Sequence, residues 1–141
     1  MNRVYLAGKM GNRVVKDVLK ERKAAVKLCR KHGFMPVDPG YSEAKDWKGY
    51  RISDSMSVSK MRKYVEKDLQ LVRRSDALIV LTEEASDGTS YEKCYAKFMG
   101  LPVVIVAPNR CSGKLMGFSN ILFHCEPTIE KAIKWLKKEL K

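Results

Sequence analysis

The stretch Asp76–Pro108, DALIVLTEEASDGTSYEKCYAKFMGLPVVIVAP, decides the architecture. Its apolar run Ala77–Leu81 ends in a polar loop. The loop opens a helix at Gly88-Thr89, and a second apolar run, Val103–Ala107, follows Gly100-Leu101-Pro102. Strand, loop, helix, strand is the repeating unit of a parallel sheet, and strands that are apolar at every position belong in a sheet covered on both faces. Ligands of such sheets sit beyond the carboxyl ends of the strands. The loop Thr82–Thr89 and the first turn of its helix lie at that end, and Glu92 is the carboxylate there.

Upstream, Arg3–Ala7 reads as a short strand ending at Gly8, followed by a turn through Asn12. A helix is predicted from Arg13 to about Lys31, with Val15, Val18, Leu19, Val26 and Cys29 as its apolar stripe and His32-Gly33 at its end. Phe34–Val37 is a second strand, and Asp38-Pro39-Gly40 reads as a turn that stops it. Tyr41–Ser59 is polar and aperiodic, a connection long enough to be functional or mobile. Lys60–Arg74 is the next helix, with the stripe Met61, Val65, Leu69 and Val72. Asp68 falls on that stripe, where a carboxylate needs a partner or a polar pocket. Downstream come a loop over Asn109–Ser119, a strand Ile121–His124 and a helix Pro127–Leu140 carrying Ile129, Ile133, Leu136 and Leu140. The expected fold is a single α/β domain spanning 1–141, a flavodoxin-like doubly wound sheet of five parallel strands in the order 2-1-3-4-5.

The chain has 141 residues, 45% of them hydrophobic, which suits one globular domain with a sizeable core. No apolar run reaches membrane-spanning length, and the N-terminus enters a strand directly, so neither a membrane span nor a signal peptide is expected. Cys29, Cys94, Cys111 and Cys125 form no CxxC pair, which suggests reduced, mostly buried thiols in a cytoplasmic protein and no metal site. The net charge of +12 lies mostly along two helices, at Lys16, Lys20, Lys23, Lys27, Arg30 and Lys31, then at Lys60, Arg62, Lys63, Lys67, Arg73 and Arg74. That pattern describes solvated helix faces rather than a nucleic-acid surface, although a non-catalytic nucleotide- or RNA-binding module stays open.

Several chemistries are excluded. There is no GxxxxGK[ST] and no GxGxxG after the first strand, only Gly8-x-x-Gly11, and no GxSxG elbow. The acidic residues a receiver domain needs after its first strand are replaced by Gly8-Lys9-Met10. What remains at the sheet's carboxyl edge is Glu92, with Tyr5 and Asp68 converging near it. Two readings of Glu92 stand side by side. Thr89-Ser90-Tyr91-Glu92 has the spacing of a capping box, in which Thr89 caps the helix and Glu92 reaches back to it. Alternatively, Glu92 is a carboxylate nucleophile kept ionised by a helix N-terminus.

Tyr5-Leu6-Ala7-Gly8, Glu66-Lys67-Asp68-Leu69 ahead of Ser75-Asp76-Ala77, Gly88-Thr89-Ser90-Tyr91-Glu92 and Gly100-Leu101-Pro102-Val103 resemble the nucleoside 2-deoxyribosyltransferase superfamily. That superfamily includes the 2′-deoxynucleoside 5′-monophosphate N-glycosidases and the CMP hydrolases. The resemblance implies that Glu92 attacks the anomeric carbon to form a glycosyl-enzyme, that Tyr5 holds Glu92, and that Asp68 contacts the sugar and helps protonate the leaving base. It also implies a homo-oligomer in which Ser119 or Asn120 reaches a neighbour's site, and no cofactor. The nucleoside-using transferases carry an aspartate in the loop before the glutamate. Ser86 stands there in this chain, followed by Asp87 and Gly88. A hydroxyl there, with Gly8, Lys9 and Arg13 beside the first helix, favours a 5′-monophosphate, and Asp87 favours a nucleoside. A nucleotide or nucleoside substrate is expected in either case. The phosphoribohydrolases with a GGxGTxxE segment are a weaker match, because Ser86-Asp87-Gly88-Thr89 lacks the paired glycines.

Overall fold

The computed structural model describes residues 1–11, 13–45, 57–84, 86–108 and 122–141. Within them lie β1 (Arg3–Ala7), α1 (Val15–Lys31), β2 (Met35–Val37), α2 (Pro39–Lys45), α3 (Val58–Arg73), β3 (Ala77–Val80), α4 (Asp87–Phe98), β4 (Val103–Val106), β5 (His124–Glu126) and α5 (Ile129–Glu139). The five strands are all parallel, in the order β2-β1-β3-β4-β5. This is the expected doubly wound α/β sheet.

Alternation along the strands divides the core in two. Val4, Leu6, Ala77, Ile79, Val104 and Val106 meet Ala25 and Cys29 of α1 and Ala132, Ile133 and Leu136 of α5. Tyr5, Ala7, Leu78, Val80, Val103 and Ile105 meet Val72 of α3 and Ala96 of α4 on the other face. Burial on both faces explains why β3 and β4 are apolar at every position. It also places Tyr5 on the α3–α4 side. The sequence path turns outward to β2 on one side of β1 and to β3 on the other, which opens a crevice at the carboxyl ends of β1 and β3.

Four expectations need correction. Residues 38–45 are not a turn followed by loop. Asp38 accepts the Tyr41 backbone N–H at 3.2 Å, which makes it the N-cap of α2 with Pro39 at the first helical position. The rest of the long connection, 46–56, lies outside the described residues, and α3 begins at Val58 with Ser57 as its cap. The last strand is His124–Glu126; Leu122 and Phe123 precede it, and position 121 lies outside the described residues. Leu122 is exposed, and the strand is an edge whose His124 ring stacks on Trp135 of α5 at 4.2 Å, so it needs no apolar run. On α1 the buried stripe is Val18, Arg22, Ala25 and Cys29, so a charged residue occupies a core position. Cys94 is exposed on α4, while Cys29 is buried and Cys125 half-buried. The lysines and arginines of α1 and α3 expected at the surface are exposed. No helix among the described residues is long and apolar enough to cross a membrane.

Candidate active site

A cavity of about 520 Å³ opens at the carboxyl edge of the sheet, between the β1–α1 turn, α2, α3 and the start of α4. Gly8, Met10, Glu43, Met61, Val65, Asp68, Ser86, Gly88 and Glu92 are among its lining residues. The volume suits a nucleoside-sized ligand. Met61 and Val65, which sequence periodicity assigned to the core stripe of α3, are exposed into this cleft instead.

Helix α4 begins one turn earlier than a Thr89 cap would require. Ser86 is the N-cap. Its Oγ accepts the Thr89 N–H at 3.3 Å and donates to Thr89 Oγ1 at 2.8 Å. The capping-box reading therefore fails, because Glu92 sits too far into the helix to reach the cap. Its carboxyl instead accepts a hydrogen bond from the Tyr5 phenol, which is 1% exposed at the end of β1. Burial pushes Glu92 up to about 7. The Tyr5 hydrogen bond and the Arg22 guanidinium pull it down, and the Asp68 charge pushes it up. Tyr5 itself is pushed far above the ordinary phenol range, first by burial and then by Glu92, so it is a permanent donor.

Asp68 is 8% exposed and lines the same cavity. Its neighbour is Glu43 of α2, 6% exposed, and the two carboxyls are hydrogen-bonded to each other. Glu43 is pushed up to about 9, by burial first and then by Asp68. Asp68 is also raised by burial, against the pull of the Glu43 hydrogen bond, Lys67 and Arg22.

Arg22 supports this arrangement from below. It is 2% exposed and donates to the Leu6 carbonyl at 2.6 Å, to the Gly8 carbonyl at 3.0 Å and to Asp38 Oδ1 at 3.3 Å. One guanidinium thus fixes the end of β1, the following turn and the start of α2. Gly8 adopts φ +152°, and a Cβ there would meet Leu81 and the Arg22 guanidinium at 3.4–3.5 Å.

The expected binding residues divide into groups. Gly8, Ser86 and Gly88 line the cavity, and Asp87 opens α4 beside them. Lys9 and Arg13 are not among the lining residues. Lys9 Nζ pairs with Glu84 at 3.3 Å, and Arg13 makes a two-point pair with Glu21 at 3.0 and 3.1 Å. Ser119 and Asn120 lie outside the described residues. Glu43 and Arg22 were missed by sequence reasoning. The Asp38-Pro39 pair, an N-cap followed by a helix-opening proline, was the available signal for Glu43. For Arg22 it was the spacing Val18-Arg22-Ala25-Cys29.

Fold and site together define a doubly wound α/β protein with a phenol-held carboxylate and a carboxyl pair in one nucleoside-sized cleft. The family model for nucleoside 2-deoxyribosyltransferase matches residues 4–120, and the chain belongs to that family. Among curated proteins none matches the sequence. Among solved structures, the 2-deoxyribosyltransferase of the psychrotolerant bacterium Bacillus psychrosaccharolyticus superposes with a TM-score of 0.65 at 18% identity, covering 93% of this chain and 90% of that one. The Clostridium botulinum CMP N-glycosidase BcmB gives 0.52 at 17% identity, covering 96% and 98%. The molybdenum cofactor carrier protein of Chlamydomonas reinhardtii gives 0.56 at 14% identity, covering 99% and 98%. At these identities the likeness is one of fold.

Proposed function

We propose that this chain cleaves the N-glycosidic bond of a nucleoside 5′-monophosphate, with Glu92 as nucleophile and free base as the first product. The observation that carries this reading is the hydrogen bond from Tyr5 to Glu92 in a cavity also lined by Asp68. Breaking the bond develops positive charge on the sugar and negative charge on the base. Glu92 meets the first, forming an ester to the anomeric carbon as the base departs with the bonding electrons. The phenol of Tyr5 fixes the attacking carboxylate and favours its ionised form. Asp68, lining the same cavity, is the group assigned to the base or the sugar in this reading. Water then attacks the ester carbon, releasing the sugar phosphate and restoring Glu92. The monophosphate is supported by a hydroxyl at Ser86 rather than a carboxylate, beside the N-terminus of α4, where an anion is favoured.

A second reading, base exchange between deoxynucleosides, draws on the engagement of Lys9 and Arg13 by Glu84 and Glu21, which leaves the neutral 5′-hydroxyl of a nucleoside as the simpler occupant. Incubation with matched panels of nucleosides and their monophosphates, followed by detection of free base, tests both. Monophosphates should release base faster than nucleosides. Equal or faster release from nucleosides, rising when a second base is added as acceptor, supports transfer instead. No base release from any member of either panel leaves a binding module.

A further inference from the structure

We propose that Glu43 and Asp68 act as one acid, a carboxyl–carboxylate pair sharing a single proton that is passed to the departing base, with Glu43 as the holder of that proton. This rests on the N-glycosidic reading above and adds a residue that nothing in the sequence motifs pointed to.

The geometry carries it. The two side chains come from different helices, are both more than nine-tenths buried, and are hydrogen-bonded to each other. Two ionised carboxylates cannot share such a bond, so one proton must lie between them. Each group also keeps one buried oxygen, Glu43 Oε1 and Asp68 Oδ1, with no hydrogen-bond partner among the described residues. Both groups line the cavity that holds Glu92. The seat of α2 is built for this approach. A Cβ on Gly40 would stand 2.7 Å from the Met10 sulfur and 3.1 Å from the Arg22 guanidinium carbon, so a side chain there would displace Met10 and press on Arg22.

The surrounding charges assign the proton. Glu43 faces Asp68 and Lys67 of α3 and Glu92 of α4, and Tyr5 of β1 feels its charge. Asp68 additionally feels Arg22 of α1 and Asp38. Burial pushes both carboxyls up and Lys67 pulls both down, while the Arg22 guanidinium favours an ionised Asp68 and the Asp68 charge pushes Glu43 further up.

The step balances. As the Glu92 oxygen bonds to the anomeric carbon and the carbon–nitrogen pair leaves with the base, the one proton passes from Glu43 to Asp68 and from Asp68 to the base nitrogen. Both carboxyls are then ionised. When water attacks the ester, its proton returns to the pair and Glu92 leaves as carboxylate. Glu43 thus acts through Asp68.

Two measurements on the full chain test this. The first is the rate of base release by Glu43→Gln and Glu43→Ala relative to wild type across pH. Glutamine preserves a hydrogen bond to Asp68 but has no proton to pass on. The ratio of variant to wild type should fall by about a hundredfold or more between about pH 6 and about pH 9, because Asp68 alone loses its proton earlier than the pair does. A ratio that is low but constant with pH means a structural role and overturns the proposal, as does a ratio near one throughout. The second is a carbon NMR titration of the side-chain carboxyls in the free protein, which needs no substrate. Glu43 should keep its proton beyond pH 7, and ionisation of Glu43 below that overturns the pair even if base is released. Absence of base release by the wild type overturns the glycosidic reading and the delivery step with it, while the titration still decides whether the pair exists.

Discussion

The phenol of Tyr5, buried at the carboxyl end of β1, is hydrogen-bonded to the carboxyl of Glu92 inside α4, so the first strand and the fourth helix meet in one polar contact at the sheet edge. Tyr5 sits on the α3–α4 face because alternate residues of β1 face opposite sides. Glu92 is free to accept because Ser86 has taken over the helix cap. Removing the phenol oxygen therefore acts on the ionisation of Glu92 before it acts on packing. The Tyr5 hydrogen bond pulls Glu92 down from where burial alone would set it. In Tyr5→Phe the acid limb of kcat/KM should move to higher pH, and the rate on the plateau should fall by about tenfold, the order of one lost hydrogen bond to a charged group. A pH–rate profile compares the two. An acid limb that stays in place would separate Tyr5 from Glu92.

The same reasoning gives a stability test for Glu43. Its folded value, about 9, lies above its ordinary 4.5. Between these values the folded chain holds a proton that the unfolded chain has lost, so this group's stabilising contribution is complete below 4.5 and falls as pH rises toward 9. Each pH unit in that window costs at most about 1.4 kcal/mol. Glu43→Gln has no such dependence. Its melting temperature should match wild type near pH 5 and exceed it near pH 8. Parallel Tm curves for the two proteins would show that Glu43 is ionised in the fold.

Lys9 provides the test of the phosphate. Its ion pair is with an exposed carboxylate, Glu84, and contributes little to stability. If Lys9 turns from Glu84 to a bound phosphate, Lys9→Ala should raise KM for monophosphates by about tenfold and leave KM for nucleosides unchanged. Glu84→Gln should do the reverse, lowering KM for monophosphates by releasing the lysine. KM values unmoved by both changes would remove Lys9 from the substrate site.

The helices also carry exposed apolar residues. Val58 on α3 and Tyr91 and Phe98 on α4 are 67%, 66% and 92% exposed. The homo-oligomer expected from the family resemblance has an interface available there. Phe98→Lys should shift sedimentation toward monomer without lowering Tm. An unchanged sedimentation coefficient would place any interface elsewhere.

Much of this was legible from the chain. The apolar runs at 77–81 and 103–107 fixed β3 and β4 because strands buried on both faces tolerate nothing else, and the strand order followed from right-handed crossovers. Asp68 could be placed inside because Val65 and Val72 flank it at helical spacing. The missed features share one physical cause. A charged residue at a core position looks like a surface residue until its partner is known, and the partners of Arg22 (the Leu6 and Gly8 carbonyls) and of Glu43 (Asp68) come from elsewhere in the chain. Asp38-Pro39-Gly40 was ambiguous for a different reason, since an acceptor followed by proline starts a turn or a helix equally well. Thr89-x-x-Glu92 had the spacing of a capping box, but Ser86, three residues earlier, was an equally good cap and left Glu92 free for the site.

That last distinction makes Glu92 separable from the helix it sits on. The cap belongs to Ser86, so Ser86→Ala should cost about 1 kcal/mol of stability. Glu92 caps nothing, and its carboxyl is raised to about 7 by burial, so replacing it with a neutral group relieves that burial. Glu92→Gln should therefore melt at or above the wild-type temperature. Its base release should nevertheless fall by several factors of ten, each equivalent to about 1.4 kcal/mol of barrier, because the amide cannot form the glycosyl ester. Mass spectrometry of wild-type protein quenched during turnover should show a sugar adduct on the peptide containing Glu92, and the variant should show none. Ser86→Ala should retain the adduct while melting lower. Base release near the wild-type rate from a folded Glu92→Gln protein would move the nucleophile to another residue, with Asp68 and Glu43 the other carboxylates lining the cavity.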